Sequence, residues 1–136
     1  MSEEASTMFE ALDFVYMPSA DVAADLAHFT GVLGGELRFA IEAYGTRVAM
    51  LRMGAQGPDI LLAGHLEGES PVLVYRVDDL DATVARLRER GCDPGPTFGI
   101  PHGPCCSFRT SGGHRIAAYE PTRPQASAHL EGRRDF

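Results

Sequence analysis

A chain of 136 residues with 44% hydrophobic content is long enough to bury one core and too short for two ordinary domains, so a single domain is expected. The formal net charge of -7 leaves no basic stripe to neutralise phosphates, and nucleic acid is not expected as a partner. All twelve basic residues are arginine; with no lysine, Schiff-base chemistry and cofactors held through a lysine amine are excluded.

The opening MSEEASTMFEALDF is acidic and lacks the basic and apolar regions of a secretory signal, and no apolar run approaches membrane-spanning length. Residues 1–10 read as an N-terminal extension, and the chain as soluble and cytoplasmic, with no membrane partner. Cys92, Cys105 and Cys106 form neither a disulfide framework nor a CxxC pair, which fits free thiols in a reducing compartment.

In chain order, LDFVYM (12–17) is rich in aromatic and branched residues and closed by Pro18, which predicts a strand. Val22, Leu26, Phe29 and Leu33 then follow at helical spacing, with Ser19 or Asp21 as cap and Gly34-Gly35 as stop. LRFAIEA, TRVAMLRM and PDILLAGH are three extended segments separated by turn signals at Tyr44-Gly45 and between Gly54 and Pro58.

The pattern then repeats. PVLVYRV (71–77) predicts a strand, Asp78 and Asp79 can cap a second helix, and Leu80, Val84 and Leu87 form its stripe before Gly91. DPGPTFGI, PCCSFRT and HRIAAYE are extended, divided by the pair at 102–103 and the turn at 111–113. An offset of 58 residues aligns Asp21 with Asp79, Val22 with Leu80, Leu26 with Val84 and Phe29 with Leu87, the mark of a duplicated βαβββ unit.

The expected architecture is α+β, one domain over 11–121 built from module one (11–65) and module two (71–121). Its sheet curves around a concave cleft with the helices outside. The tail 122–136 loses periodicity and reads as flexible, or as lying on a partner subunit. Alternation sends Val15, Met17, Leu73, Tyr75, Val77, Ile116 and Ala118 toward the helices. The opposite parity, Leu12, Phe14, Tyr16, Val72, Val74, Arg115, Ala117 and Tyr119, lines the concave side.

The sequence resembles the vicinal-oxygen-chelate superfamily (glyoxalase, bleomycin-resistance and dioxygenase type) over roughly residues 11 to 121. The resemblance rests on LDFVYMPSADVAADLAHFTGVLGG, on PVLVYRVDDLDATVARLRERG and on the closing hairpin FRTSGGHRIAAYEP, in that order and spacing. In metal-dependent members it implies ligands seven residues before each helix-start aspartate and on the last strand of each module. Here those positions hold Phe14, Val72, Ala117 and, by internal repeat, Leu61, none of which can donate an electron pair to a metal ion. No metal and no cofactor are expected.

What remains is an apolar cleft suited to a small organic molecule. Its candidate ligand-binding residues are Phe14, Tyr16, Leu61, Val72, Val74, Phe108, Arg115, Ala117 and Tyr119. Arg47, Arg76, Arg109 and Arg115 lie on strands, and an inward arginine can meet a carboxylate or phenolate. His65, His102 and His114 sit in separate turns without ligand spacing and read as exposed loop histidines. No nucleophile elbow, P-loop or dinucleotide motif is present.

The leading expectation is a metal-independent protein, a homodimer, that sequesters an apolar or aromatic ligand such as an antibiotic or natural product. The alternatives are a lyase, isomerase, epimerase or dioxygenase of the same superfamily and a purely structural or regulatory domain. The enzyme alternative uses an acid-base group such as His102, Glu42 or Glu120, or metal ligands placed by a one-residue slip that brings Asp13 to the position of Phe14.

Overall fold

A computed structural model describes residues 8–43 and 45–136; residues 1–7 of the expected N-terminal extension and Tyr44 of the first turn signal lie outside the described residues. Module one comprises β1 (Ala11–Pro18), α1 (Val22–Gly31), β2 (Glu36–Ala43), β3 (Thr46–Arg52) and β4 (Asp59–Ala63). Module two comprises β5 (Val72–Arg76), α2 (Leu80–Glu89), β6 (Phe98–Ile100), β7 (Gly103–Arg109) and β8 (Arg115–Tyr119). A short α3 (Ala126–Leu130) follows. No helix among the described residues is long and apolar enough to cross a membrane.

The duplication is visible in the details. Asp21 caps α1 by accepting from the Ala24 amide at 3.1 Å, and Asp79 caps α2 by accepting from the Ala82 amide at 3.0 Å. The strands form one eight-stranded sheet in the order β2-β3-β4-β1-β5-β8-β7-β6. Each module's first strand pairs in parallel with its own last strand, and the two first strands, β1 and β5, pair antiparallel at the centre. There Phe14 faces Val74 and Tyr16 faces Val72, so each pair is the image of the other under the 58-residue repeat. The modules are thus related by a local two-fold axis through the middle of the sheet.

The two faces are used differently. On one face Val22 and Leu26 of α1 pack against Ala40, Ala49, Leu51 and Leu62, and Leu80 of α2 packs with Val77, Cys106 and Ala118. Burial of these apolar surfaces holds the helices to the sheet. On the concave face Phe39, Met50 and Leu61 form one cluster and Val72, Val74, Cys105, Ala117 and Tyr119 another, with Phe14 and Tyr16 bridging them.

Three expectations are corrected. The helix α1 ends at Gly31, leaving Leu33 52% exposed and off the buried stripe. A bulge between Leu12 and Phe14 breaks the alternation of β1, so that Leu12 pairs with Tyr75, whose ring contacts Phe9 on the helix face. The bulge turns Asp13 toward the concave end, where it meets Tyr119.

The third correction is the tail, expected to be flexible. It is seated on β2 of its own chain. The Ala40 amide donates to the Arg133 carbonyl at 2.8 Å, the Asp135 amide to the Ala40 carbonyl at 2.7 Å, and the Gly132 amide to the Arg38 carbonyl at 2.8 Å. Arg38 pairs with Glu131 at 2.8 Å, and the Arg47 guanidinium lies 4.7 Å over the Phe136 ring. An edge strand presents unpaired amides and carbonyls, and the tail satisfies them at β2. Deleting residues 131–136 is expected to lower unfolding free energy by about 1–3 kcal/mol in urea denaturation, from a few net backbone bonds plus the Phe136 contacts. An unchanged midpoint would show that the tail contributes nothing there.

Candidate functional site

The concave face is divided by the turn Ile100-Pro101-His102, which enters between the modules. On the module-two side lies an open groove of about 880 Å³, floored by Val72, Cys105, Ser107 and Ala117 and walled by Tyr16, Leu66 and Ile100. On the module-one side a small apolar cavity of about 140 Å³ lies among Phe14, Phe39, Met50 and Leu61 and is closed by Leu130 of α3. Beyond Phe14 and His102, a polar pocket of about 400 Å³ contains Asp13, Arg38, Arg52, Asp59, Arg76 and Tyr119.

The turn owes its position to Gly103, whose φ of +152° a side chain rarely adopts. The Arg123 amide donates to the His102 carbonyl at 2.9 Å, and the Arg123 guanidinium donates to the carbonyls of Pro101 at 2.9 Å and Ile100 at 2.6 Å. Those three bonds pin the partition between groove and pocket.

Most of the candidate residues meet on the concave face. Tyr16, Val72 and Ala117 border the groove, Leu61 and Phe14 the small cavity, and Arg115 the groove mouth. Val74 is 1% exposed and lies beneath the floor without bordering the groove. Tyr119 is directed away from the groove: its hydroxyl donates to Asp13 at 2.5 Å. Phe108 borders the groove, and it shares parity with Cys106, with its ring stacked on Phe9 at 6.5 Å on the helix face.

Sequence reasoning missed Leu66, Ile100, Pro101, Ser107 and the depth of His102. Alternation from Ala117 across the β7–β8 pair would have found Ser107, its direct partner; the turn residues had no such signal. His65 and His114 are exposed as expected, but His102 is half-buried, its ring 5.1 Å from that of Phe14. Two proposed acid-base groups are placed elsewhere: Glu120 accepts from the Leu80 amide at the start of α2 at 2.9 Å, and exposed Glu42 lies by Arg47 at 3.8 Å.

Burial dominates the electrostatics. It pushes the Tyr16 hydroxyl up to about 12, with Cys105 adding to the rise, and the Cys105 thiol up to about 12, with Cys106 adding. Both stay protonated at neutral pH, so Tyr16 offers a hydroxyl donor to the groove and Cys105 is no thiolate nucleophile. Burial also raises Tyr119, reinforced by its bond to Asp13.

Burial lowers the pKa of His102, partly offset by Asp13 and reinforced by Arg123. A native histidine below the unfolded value of about 6.5 binds fewer protons than the unfolded chain in that window. Stability contributed by neutral His102 is therefore present above about pH 6.5 and lost as pH falls through it. His102→Gln should flatten the acid-side decline in unfolding free energy between about pH 7 and 5. Parallel pH profiles for the variant and the parent would contradict this.

The four implied metal positions hold Phe14, Leu61, Val72 and Ala117, packed within the concave apolar clusters. With no nitrogen, sulfur or carboxylate oxygen among these side chains, the residues present do not fit a divalent ion. Among the described residues no group of three or more His, Cys, Asp or Glu is placed to hold one.

No family model matches the sequence, and no curated protein matches it at a significant level. Solved structures do. Methylmalonyl-CoA epimerase from Mycobacterium tuberculosis is similar with a TM-score of 0.74 at 23% identity, over 92% of this chain and 97% of that one. A protein of Bacillus halodurans aligns with a TM-score of 0.69 at 16% identity, over 81% of this chain and 93% of its own. A glyoxalase/bleomycin resistance protein/dioxygenase superfamily member from Vibrio splendidus aligns with a TM-score of 0.58 at 16% identity, over 79% and 95%. At these identities the likeness is one of fold, and the chain has the vicinal-oxygen-chelate fold that the resemblance implied.

Proposed function

We propose that this protein is a metal-independent binder of a largely apolar or aromatic organic molecule, held in the groove over β5, β8 and β7. One observation carries the reading: the implied metal positions are apolar, and the adjoining face is an open groove lined mainly by Tyr16, Leu66, Val72, Ile100, Cys105 and Ala117. Burial of apolar ligand surface drives such binding, with the Tyr16 hydroxyl as a polar anchor. Sequestration needs no reacting group, and the protonated Cys105 offers none.

A homodimer belongs to the same reading. The sheet ends at β6, a three-residue edge strand whose Phe98 is 47% exposed and borders the groove, so a second copy there would cover its open side. Light scattering of the purified chain checks this, with a dimer mass expected.

The test of binding is a fluorescence titration with N-phenyl-1-naphthylamine, an uncharged aromatic probe, in buffer containing EDTA. Saturable binding with one probe per groove is expected. Absence of saturable binding would reject the reading.

A second reading has its own support. The β1 bulge brings Asp13 to the concave end beside Tyr119 and His102, and Arg76 lies 3.8 Å from the Asp13 carboxylate. A carboxylate and a neutral imidazole in one pocket are the groups an epimerase needs to remove and return a proton. Incubation with methylmalonyl-CoA in heavy water, read by mass spectrometry, separates the readings. Binding without turnover leaves the mass unchanged; deuterium incorporation abolished by Asp13→Asn would establish the enzyme.

A further inference from the structure

Arg109 and Arg115 are direct partners across the antiparallel β7–β8 pair, on the groove face, and both border the groove at its mouth. Like charges placed opposite each other on a sheet repel. Elsewhere the chain neutralises such groups: Arg38, Arg52 and Arg76, at the polar pocket, lie 2.8 Å, 2.9 Å and 3.3 Å from the carboxylates of Glu131, Asp59 and Glu10. Among the described residues Arg109 and Arg115 have no carboxylate within ion-pair distance, although Glu67 and Glu69 stand on the neighbouring loop.

The two guanidinium groups are nevertheless held in place. Arg115 Nη1 donates to the Ser70 carbonyl at 2.8 Å, and Arg109 Nη1 donates to the Gly113 carbonyl at 3.2 Å. Each has one bond to backbone, out of five N–H donors in a planar fork. In a chain with nineteen acidic and twelve basic residues, this leaves two adjacent, backbone-anchored cations over an apolar groove.

From this pair we infer that the ligand is amphipathic: an apolar body in the groove and an oxyanion, carboxylate or sulfonate, bridging Arg109 and Arg115 at the mouth. The inference rests on the groove being the binding site and adds the charge of what it binds. An anion between the guanidiniums replaces their repulsion by charge-assisted hydrogen bonds, and the Tyr16 and Val72 end takes the apolar portion.

Two probes with one ring system separate the charge from the body: 8-anilinonaphthalene-1-sulfonate, and the uncharged N-phenyl-1-naphthylamine. The parent chain is expected to bind the sulfonate at least about tenfold more tightly, a preference that shrinks with added salt. Arg109→Gln/Arg115→Gln should erase the preference while leaving the neutral probe within about twofold, and Arg47→Gln, on the opposite face beside Phe136, should leave both unchanged. Equal affinity for the two probes in the parent, or a preference that survives in the double variant, overturns the anion inference and leaves the groove reading standing. Loss of neither probe in Ser107→Trp, which sets an indole on the groove floor between Cys105 and Arg109, overturns the groove reading itself and the inference with it.

Discussion

Gly103→Ala is expected to leave little folded protein. A Cβ at this position would lie 2.0 Å from the Glu120 carbonyl oxygen, 2.9 Å from Thr122 Oγ1 and 3.0 Å from the Thr122 amide, on a backbone already at φ +152°. Relief by movement is blocked from several sides. The Glu120 amide donates to the Pro104 carbonyl at 3.0 Å, its carboxylate receives the Leu80 amide at 2.9 Å, and the Val77 amide is bonded to the neighbouring Tyr119 carbonyl at 2.9 Å. The cost should exceed about 4 kcal/mol, a large share of a typical domain's 5–15 kcal/mol. Gly99→Ala is the control, since nothing lies within 4 Å of its Cβ position, and it should shift stability by less than about 1 kcal/mol. Urea denaturation of both variants checks the pair; a Gly103→Ala protein as stable as Gly99→Ala would mean that the turn walling the groove is built differently.

Ser107→Trp should abolish binding of the neutral probe while sparing the fold. Ser107 is exposed, directly opposite Ala117, and lies between Cys105 and Arg109 on the groove face. An indole there projects into open space without displacing core side chains, so the melting temperature should move by only a few degrees. It occupies the volume the ligand needs, and affinity should fall at least about a hundredfold. Unchanged affinity with an unchanged fold would place the probe elsewhere, with the small cavity around Phe39 and Met50 the next place to look.

The parts of the fold that could be read from sequence are those fixed by repetition and period. The alignment of Asp21 with Asp79 carried both helix caps, and period-two alternation placed Phe14, Tyr16, Val72 and Ala117 on the concave face. Their apolar character at the implied metal positions was equally legible. What escaped is set by local irregularity or by contacts distant in sequence. A bulge adds one residue and reverses parity beyond it, which is why Leu12 changed faces and Asp13 joined the concave end beside Phe14 where sequence offered one or the other. Phe108 borders the groove and also stacks on Phe9, because β7 carries two faces and both offered it apolar neighbours. The tail has no periodicity of its own, and its place is given by the open edge of β2, some ninety residues earlier. His102 reads as a loop histidine until Arg123 and Gly103 fold its turn into the cleft.

The polar pocket and the apolar groove lie at opposite ends of one concave face, separated by Phe14, Tyr16 and the His102 turn. That separation sets apart a binding role seated in the groove from an acid-base role seated at Asp13. In the binding account, Asp13→Asn leaves probe affinity unchanged, because the Asp13–Tyr119 bond is directed away from the groove.

The most direct measurement is metal content by elemental analysis of the chain purified without chelator or histidine tag, with the neutral-probe titration repeated before and after dialysis against EDTA. The account predicts less than stoichiometric transition metal and the same affinity on both sides of the dialysis. A stoichiometric metal whose removal abolishes probe binding would contradict it, and would require ligands other than Phe14, Leu61, Val72 and Ala117.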